Sequence, residues 1–154
     1  LEYIDGVVLQ KPMANADHGR IVGELDFQFG TYVRSHGGDF GPERRSRLGD
    51  IPGYRVPDTC YWAAGRPSGN DSIPTLAVEV RAPGQAMSEL RAKCRVYRAS
   101  GVEGCWLIDP ETRTVEVFEG KDDGKELPGA GTLEAKALPG FSLPLAELFA
   151  VLDR

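Results

Sequence analysis

The apolar positions of this chain of 154 residues fall into two rhythms. Some stretches repeat every three or four residues, the helical period; shorter runs are apolar throughout or alternate, as strands do. Ile21, Val22, Leu25, Phe29, Tyr32 and Val33 are spaced for a helix from about His18 to Ser35, closed by Gly37-Gly38. Asp17 is placed to cap it. Leu90, Cys94 and Tyr97 predict a second helix over 88–100, with Gly101 as its stop. Strands are expected over 55–62, 75–81, 104–109, 113–118 and 132–138. Glu2 to Leu9 reads as a hairpin turning at Asp5-Gly6. Lys11 to Asp17 reads as a loop, and Gly120 to Gly124 as a polar turn. Asp39 to Gly53 should hold short strand pieces and a turn at Gly49–Gly53. Leu143 to Leu152, with Pro144 near its start, predicts a short last helix. The order of elements fits an α/β (α+β) fold: one domain, 1–154, with a mixed β-sheet flanked by helices.

Two carboxylates interrupt that pattern. Asp58 and Glu79 stand inside runs that otherwise read as buried strands. Acids are almost never fully buried unless paired or bound to a cation. Alternation puts Val56, Asp58, Cys60 and Trp62 on one face of the first strand, and Thr75, Ala77, Glu79 and Arg81 on one face of the second. If the strands pair antiparallel about connector 63–74, positions 58 and 79 are centred between Ser68 and Gly69 and fall opposite each other. Two unit charges ~4 Å apart repel by about 4 kcal/mol at an effective dielectric of 20, so the pair needs a shared proton or a shared cation. The competing explanation for Glu79 is a plain ion pair with Arg81.

Lys93 is the third candidate. It lies beside the apolar stripe of the second helix and faces inward, while Arg91, Arg95 and Arg98 face outward. It either joins the two acids or buries its stem and carries its charge to solvent. Glu24, between Val22 and Leu25, is either a further acid aimed at the sheet or a solvated one. His18, at the helix start, suits a capping or structural role; with His36 as the other histidine, the sequence argues against a histidine-rich zinc site.

Composition narrows the classes. The net charge of -5 argues against coating nucleic acid by bulk electrostatics, though a local basic strip remains open. Cys60, Cys94 and Cys105 are odd in number and form no Cys-x-x-Cys pair, which disfavours a disulfide framework and fits a cytoplasmic setting. No apolar run is long enough for a membrane span, and no signal peptide is visible. The chain starts at Leu1 rather than methionine, as expected if a short preceding piece is missing. Trp106 and Phe118 read as core residues; their hairpin is also the place where a homodimer could form.

Pro57-Asp58 followed about twenty residues later by Glu79-Val80-Arg81 resembles the PD-(D/E)XK nuclease signature. Glu2-Tyr-Ile-Asp-Gly6, His18-Gly19, Leu76–Val80 with Ala82-Pro83, Lys93 with Tyr97, Gly101-Val102, Trp106–Pro110 and Leu138–Phe141 follow in the order of the Uma-type putative restriction endonucleases, so the resemblance spans nearly the whole chain. It implies a restriction-endonuclease-like fold and a Mg²⁺- or Mn²⁺-dependent endonuclease acting on DNA. By position it makes Asp58 and Glu79 metal-binding carboxylates and the Val80 carbonyl a further ligand. Lys93 becomes the catalytic lysine, moved from strand to helix. Glu24, Arg81 and His18 become accessory candidates. Arg81 stands where the strand lysine is usual, and Ala82, Gly84 and Gln85 depart from the family's polar stretch. Two other readings stay open: a nuclease fold used only for binding or regulation, and a phosphodiesterase acting on RNA or a nucleotide.

Overall fold

The computed structural model describes residues 1–47 and 53–154, so the turn expected at Gly49–Gly53 lies outside the described residues except for Gly53, which opens a strand. The chain begins with the expected hairpin, β1 (Glu2–Ile4) and β2 (Val7–Leu9). Asp5 and Gly6 both take positive φ, 50° and 83°, as a tight two-residue hairpin turn requires. Helix α1 (Ala16–His36) starts two residues before the expected His18. The cap is Asn15 rather than Asp17: its side chain accepts the His18 N–H at 2.9 Å.

Then come β3 (Asp39–Pro42), β4 (Ser46–Arg47), β5 (Gly53–Arg55), β6 (Thr59–Trp62), β7 (Leu76–Val80), α2 (Met87–Ala99), β8 (Gly104–Asp109) and β9 (Thr114–Glu119). The polar turn expected over Gly120–Gly124 is confined to Gly120-Lys121, and strand β10 (Asp122–Glu126) follows it. It is an edge strand, largely exposed, so its side chains carry no buried-and-exposed alternation to read. The strand expected over 132–138 divides into β11 (Thr132–Ala135) and β12 (Leu138–Pro144), a hairpin turning at Lys136-Ala137. Helix α3 (Leu145–Ala150) and a closing 3₁₀ turn follow.

The main sheet has six strands in the order β10-β9-β8-β7-β6-β3, with β7 and β8 parallel and the other neighbours antiparallel. A parallel pair needs a crossover, and α2 supplies it. Both faces of the sheet are covered. On one, Ile21, Leu25 and Phe29 of α1 meet Val78, Trp106 and Ile108, and Leu133, Leu138 and Leu148 extend the same core. Full burial of side chains of this size contributes about 1.5–3 kcal/mol each. On the other face, Leu90, Cys94 and Tyr97 of α2 cover Cys60, Ala77, Cys105 and Leu107. The three cysteines are free and buried, packed as small apolar groups. Trp106 and Phe118 are wholly interior, so the β8–β9 hairpin does not offer them as an interface.

The β6–β7 register is the one the spacing predicts: Thr59 pairs with Val78, Cys60 with Ala77 and Tyr61 with Leu76. Glu79 therefore lies on the α2 face beside Ala77, in the middle of the sheet. A smaller sheet, β2-β1-β5-β4, brings Glu2 up to that face. Among the described residues no helix is long and apolar enough to cross a membrane.

Candidate active site

Asp58 stands one residue before β6, and its N–H donates to the Val78 carbonyl at 3.1 Å. The side chain is 4% exposed, and both oxygens are engaged. Oδ1 accepts the Lys11 ammonium at 2.8 Å. Oδ2 accepts the Val80 N–H at 2.7 Å and lies 3.2 Å from His18 Nε2. Burial works against the charged form, but the His18 and Lys11 contacts outweigh it and hold the carboxyl well below the usual carboxylate range.

Glu79 is 2% exposed. Its Oε1 accepts the Tyr97 hydroxyl at 2.8 Å and the Lys93 ammonium at 3.0 Å. Tyr97 and Lys93 are four residues apart on α2, so one helix face delivers both. Lys93 also reaches Glu2 Oε1 at 2.7 Å, and the same oxygen accepts the Val56 N–H at 3.0 Å. One ammonium thus serves two buried acids. Burial pushes Glu79 up to about 7; the Asp58 charge adds to the rise, while Lys93 and Lys11 oppose it. For Lys93, burial alone would favour loss of the proton, but Glu79 and Glu2 more than reverse that and keep it an ammonium.

The structure brings Asp58, Glu79, Lys93 and His18 together, with the Val80 backbone bonded to Asp58. It leaves out Glu24, which accepts a bond from Gln28 one turn along α1. Arg81 is directed elsewhere: it donates to Glu111 at 2.7 Å and to the Gln85 carbonyl at 2.9 Å, and lies 3.5 Å from Asp109. The ion pair between Arg81 and Glu79 is therefore not made, and Glu79 pairs with Lys93 instead. Arg91 and Arg95, on the outer side of α2, are paired with Glu116 and Asp123.

Two members of the cluster escape a reading of the sequence. Glu2 is a buried acid in a short apolar strand, the same signal that marks Asp58 and Glu79, but a strand of three residues is too short to show it. Lys11 lies in the segment between β2 and α1, where no periodicity gives a side chain a direction. Its ammonium sits 2.8 Å from the Val56 carbonyl, 2.8 Å from Asp58 Oδ1 and 3.3 Å from Glu43 Oε1. Burial would lower its proton affinity, yet Asp58 and Glu79 raise it well above the ordinary lysine value. Among the described residues no three His, Cys, Asp or Glu side chains are grouped so as to hold a metal ion. Any such ion would rest on two carboxylates, backbone carbonyls and water.

Comparisons with known proteins bear on the family and the fold. The family designated Uma2, described as putative restriction endonuclease, matches residues 1–146. Among solved structures the chain is similar to a putative nuclease belonging to DUF820 from Anabaena variabilis, with a TM-score of 0.84 at 23% identity, covering 98% of this chain and 90% of that one. No curated protein matches.

Proposed function

From the membership of this chain in the Uma2 family of putative restriction endonucleases, we propose that it is a Mg²⁺- or Mn²⁺-dependent nuclease that hydrolyses DNA phosphodiester bonds. The observation that carries this reading is a pair of buried acids, Asp58 just before β6 and Glu79 on the neighbouring β7, each with an ammonium against it. Taking each charge out of water costs several kcal/mol, and a packed apolar pair would serve the fold as well.

The donor set suits a hard cation. Carboxylate and carbonyl oxygens prefer Mg²⁺ or Mn²⁺ to softer metals. The Lys11 ammonium, held by Asp58 and the Val56 carbonyl, acts as a stand-in: the oxygens there already converge on a positive charge. Asp58 and Glu79 would hold the ion, with the Val80 carbonyl as the further ligand the family implies. A bound ion would supply a water of lowered pKa and neutralise charge on the phosphoryl oxygens.

The rest falls to the chain's own side chains. Lys93, clamped by Glu79 and Glu2, would hold the scissile phosphate or orient the attacking water. A lysine kept charged by two carboxylates donates hydrogen bonds; it does not take a proton. His18 and the Val80 N–H fix the direction of the Asp58 carboxylate. Tyr97 does the same for Glu79.

A second reading, a nuclease fold used for binding alone, has one observation in its favour. Asp58 is already saturated by this chain's own donors, and the outward arginines Arg91 and Arg95 are spent on acids rather than left for phosphate. Incubation of supercoiled plasmid with Mg²⁺ or Mn²⁺ separates the readings. Nicking that needs the metal and disappears in both Asp58→Ala and Glu79→Ala supports the nuclease. Metal binding with no cleavage of DNA or RNA supports the binding module, and cleavage confined to RNA or nucleotides moves the substrate class.

A further inference from the structure

We propose that Lys11 is a built-in competitor for the divalent cation, so that its ammonium must leave Asp58 before a metal can bind there. The proposal rests on the metal-dependent reading above. It concerns what this chain adds to that site: a second lysine, delivered by the segment between β2 and α1, on the acid opposite the one Lys93 serves.

The contacts of Lys11 are those of a cation in an oxygen cage. Its Nζ is 2.8 Å from Asp58 Oδ1, 2.8 Å from the Val56 carbonyl, and 3.3 and 3.4 Å from the two Glu43 oxygens. A magnesium ion bonds its oxygens at about 2.0–2.1 Å, so an ion on Oδ1 would sit within about 5 Å of the ammonium. Two positive charges that close, in a largely buried site, repel strongly. The lone pairs are also contested, because the other Asp58 oxygen is already taken by the Val80 N–H and faces His18.

Lys11 has somewhere to go. Glu43 already touches the ammonium and is more than half exposed, so the same four-carbon stem can swing toward it without breaking backbone structure. Lys93 has no such exit: it is wedged on α2 between two buried acids. The two lysines therefore divide the work. Lys93 stays through the reaction, and Lys11 neutralises Asp58 only while the cation is absent. A consequence is that the metal-free protein folds without an uncompensated charge at Asp58, at the expense of metal affinity.

Calorimetric titration with Mn²⁺ tests this on the whole chain. Lys11→Met, which keeps an unbranched stem and removes the charge, should bind Mn²⁺ at least about tenfold tighter than the native chain. Asp58→Asn should abolish binding in both backgrounds. Equal or weaker binding by Lys11→Met overturns the proposal and leaves the metal-dependent reading standing. If neither the native chain nor Lys11→Met binds Mn²⁺, the metal-dependent reading fails, and the competitor with it. A second measurement needs no variant: acylation of the native chain by an amine-reactive ester, read by mass spectrometry. Mn²⁺ should raise labelling of Lys11 while labelling of Lys93 stays low. Unchanged labelling of Lys11 at saturating Mn²⁺ overturns the proposal even if Lys11→Met does not fold.

Discussion

Asp58 and Glu79 are buried alike, at 3% and 2% exposure, yet their surroundings drive them in opposite directions. Asp58 gathers the Lys11 ammonium, the Val80 N–H and the His18 ring over both of its oxygens and is held firmly ionised. Glu79 shares its one lysine with Glu2, takes both of its bonds on a single oxygen and faces the Asp58 charge. Burial raises both acids; the contacts around Asp58 outweigh it, and those around Glu79 do not. The halves also differ in where their donors come from. Glu79 is served by a helix packed across the middle of the sheet, whereas the lysine on Asp58 comes from a connecting segment.

The largest effect should come from removing the lysine that serves two acids. Lys93→Met leaves Glu79 and Glu2 without their common partner and should cost about 3–5 kcal/mol in urea unfolding. Lys11→Met should cost less, about 1–3 kcal/mol, because Asp58 keeps its backbone and histidine contacts and the lysine is closer to solvent. Equal losses would show that the two halves are not energetically distinct. Adding Glu79→Gln to Lys93→Met should recover part of the loss, since the stranded charge is then gone.

The pH dependence sharpens the same contrast. Glu79 rises from an ordinary 4.5 to about 7 in the folded chain. Between those values the folded state holds a proton that the unfolded state has lost, so this group makes stability fall as pH rises. Asp58 has the opposite sign. Its folded value lies below the ordinary 3.8, so its contribution is present above that pH and is lost as pH falls below it. Unfolding measured from pH 4 to 8 should therefore show a downward slope that Glu79→Gln removes and Asp58→Asn does not. A slope that survives Glu79→Gln would assign the titration to another group.

Much of the site could be read from the sequence because it lies on strands. Alternation and the length of connector 63–74 are enough to place positions 58 and 79 opposite each other, and the observed register has the same centre. The inward direction of Lys93 follows from its place beside Leu90 and Tyr97 on a helix. Lys11 was not legible for the converse reason: a residue outside helix and strand inherits no direction from its neighbours, and only the folded chain shows that it reaches Asp58. Strand β10 was missed because Asp122 to Glu126 lies at the sheet edge, where solvent rather than the core selects its residues. The break between β11 and β12 is hidden because the alternation of Leu133, Ala135 and Ala137 continues through the turn.

The smallest effect tests how far the Asp58 half depends on the first turn of α1. The cap of α1 is Asn15, and the N–H it holds is that of His18, whose ring faces Asp58. Asn15→Ala should cost about 1 kcal/mol as an ordinary lost cap. The same substitution frees the first turn of the helix and with it the His18 ring, while nothing on α2 depends on that turn. Proton exchange of the His18 amide should therefore quicken, and that of the amides around Lys93 and Tyr97 should not change. Faster exchange in both places would mean that the two halves open as one unit. The lysine from the connecting segment and the lysine from the helix could not then act separately.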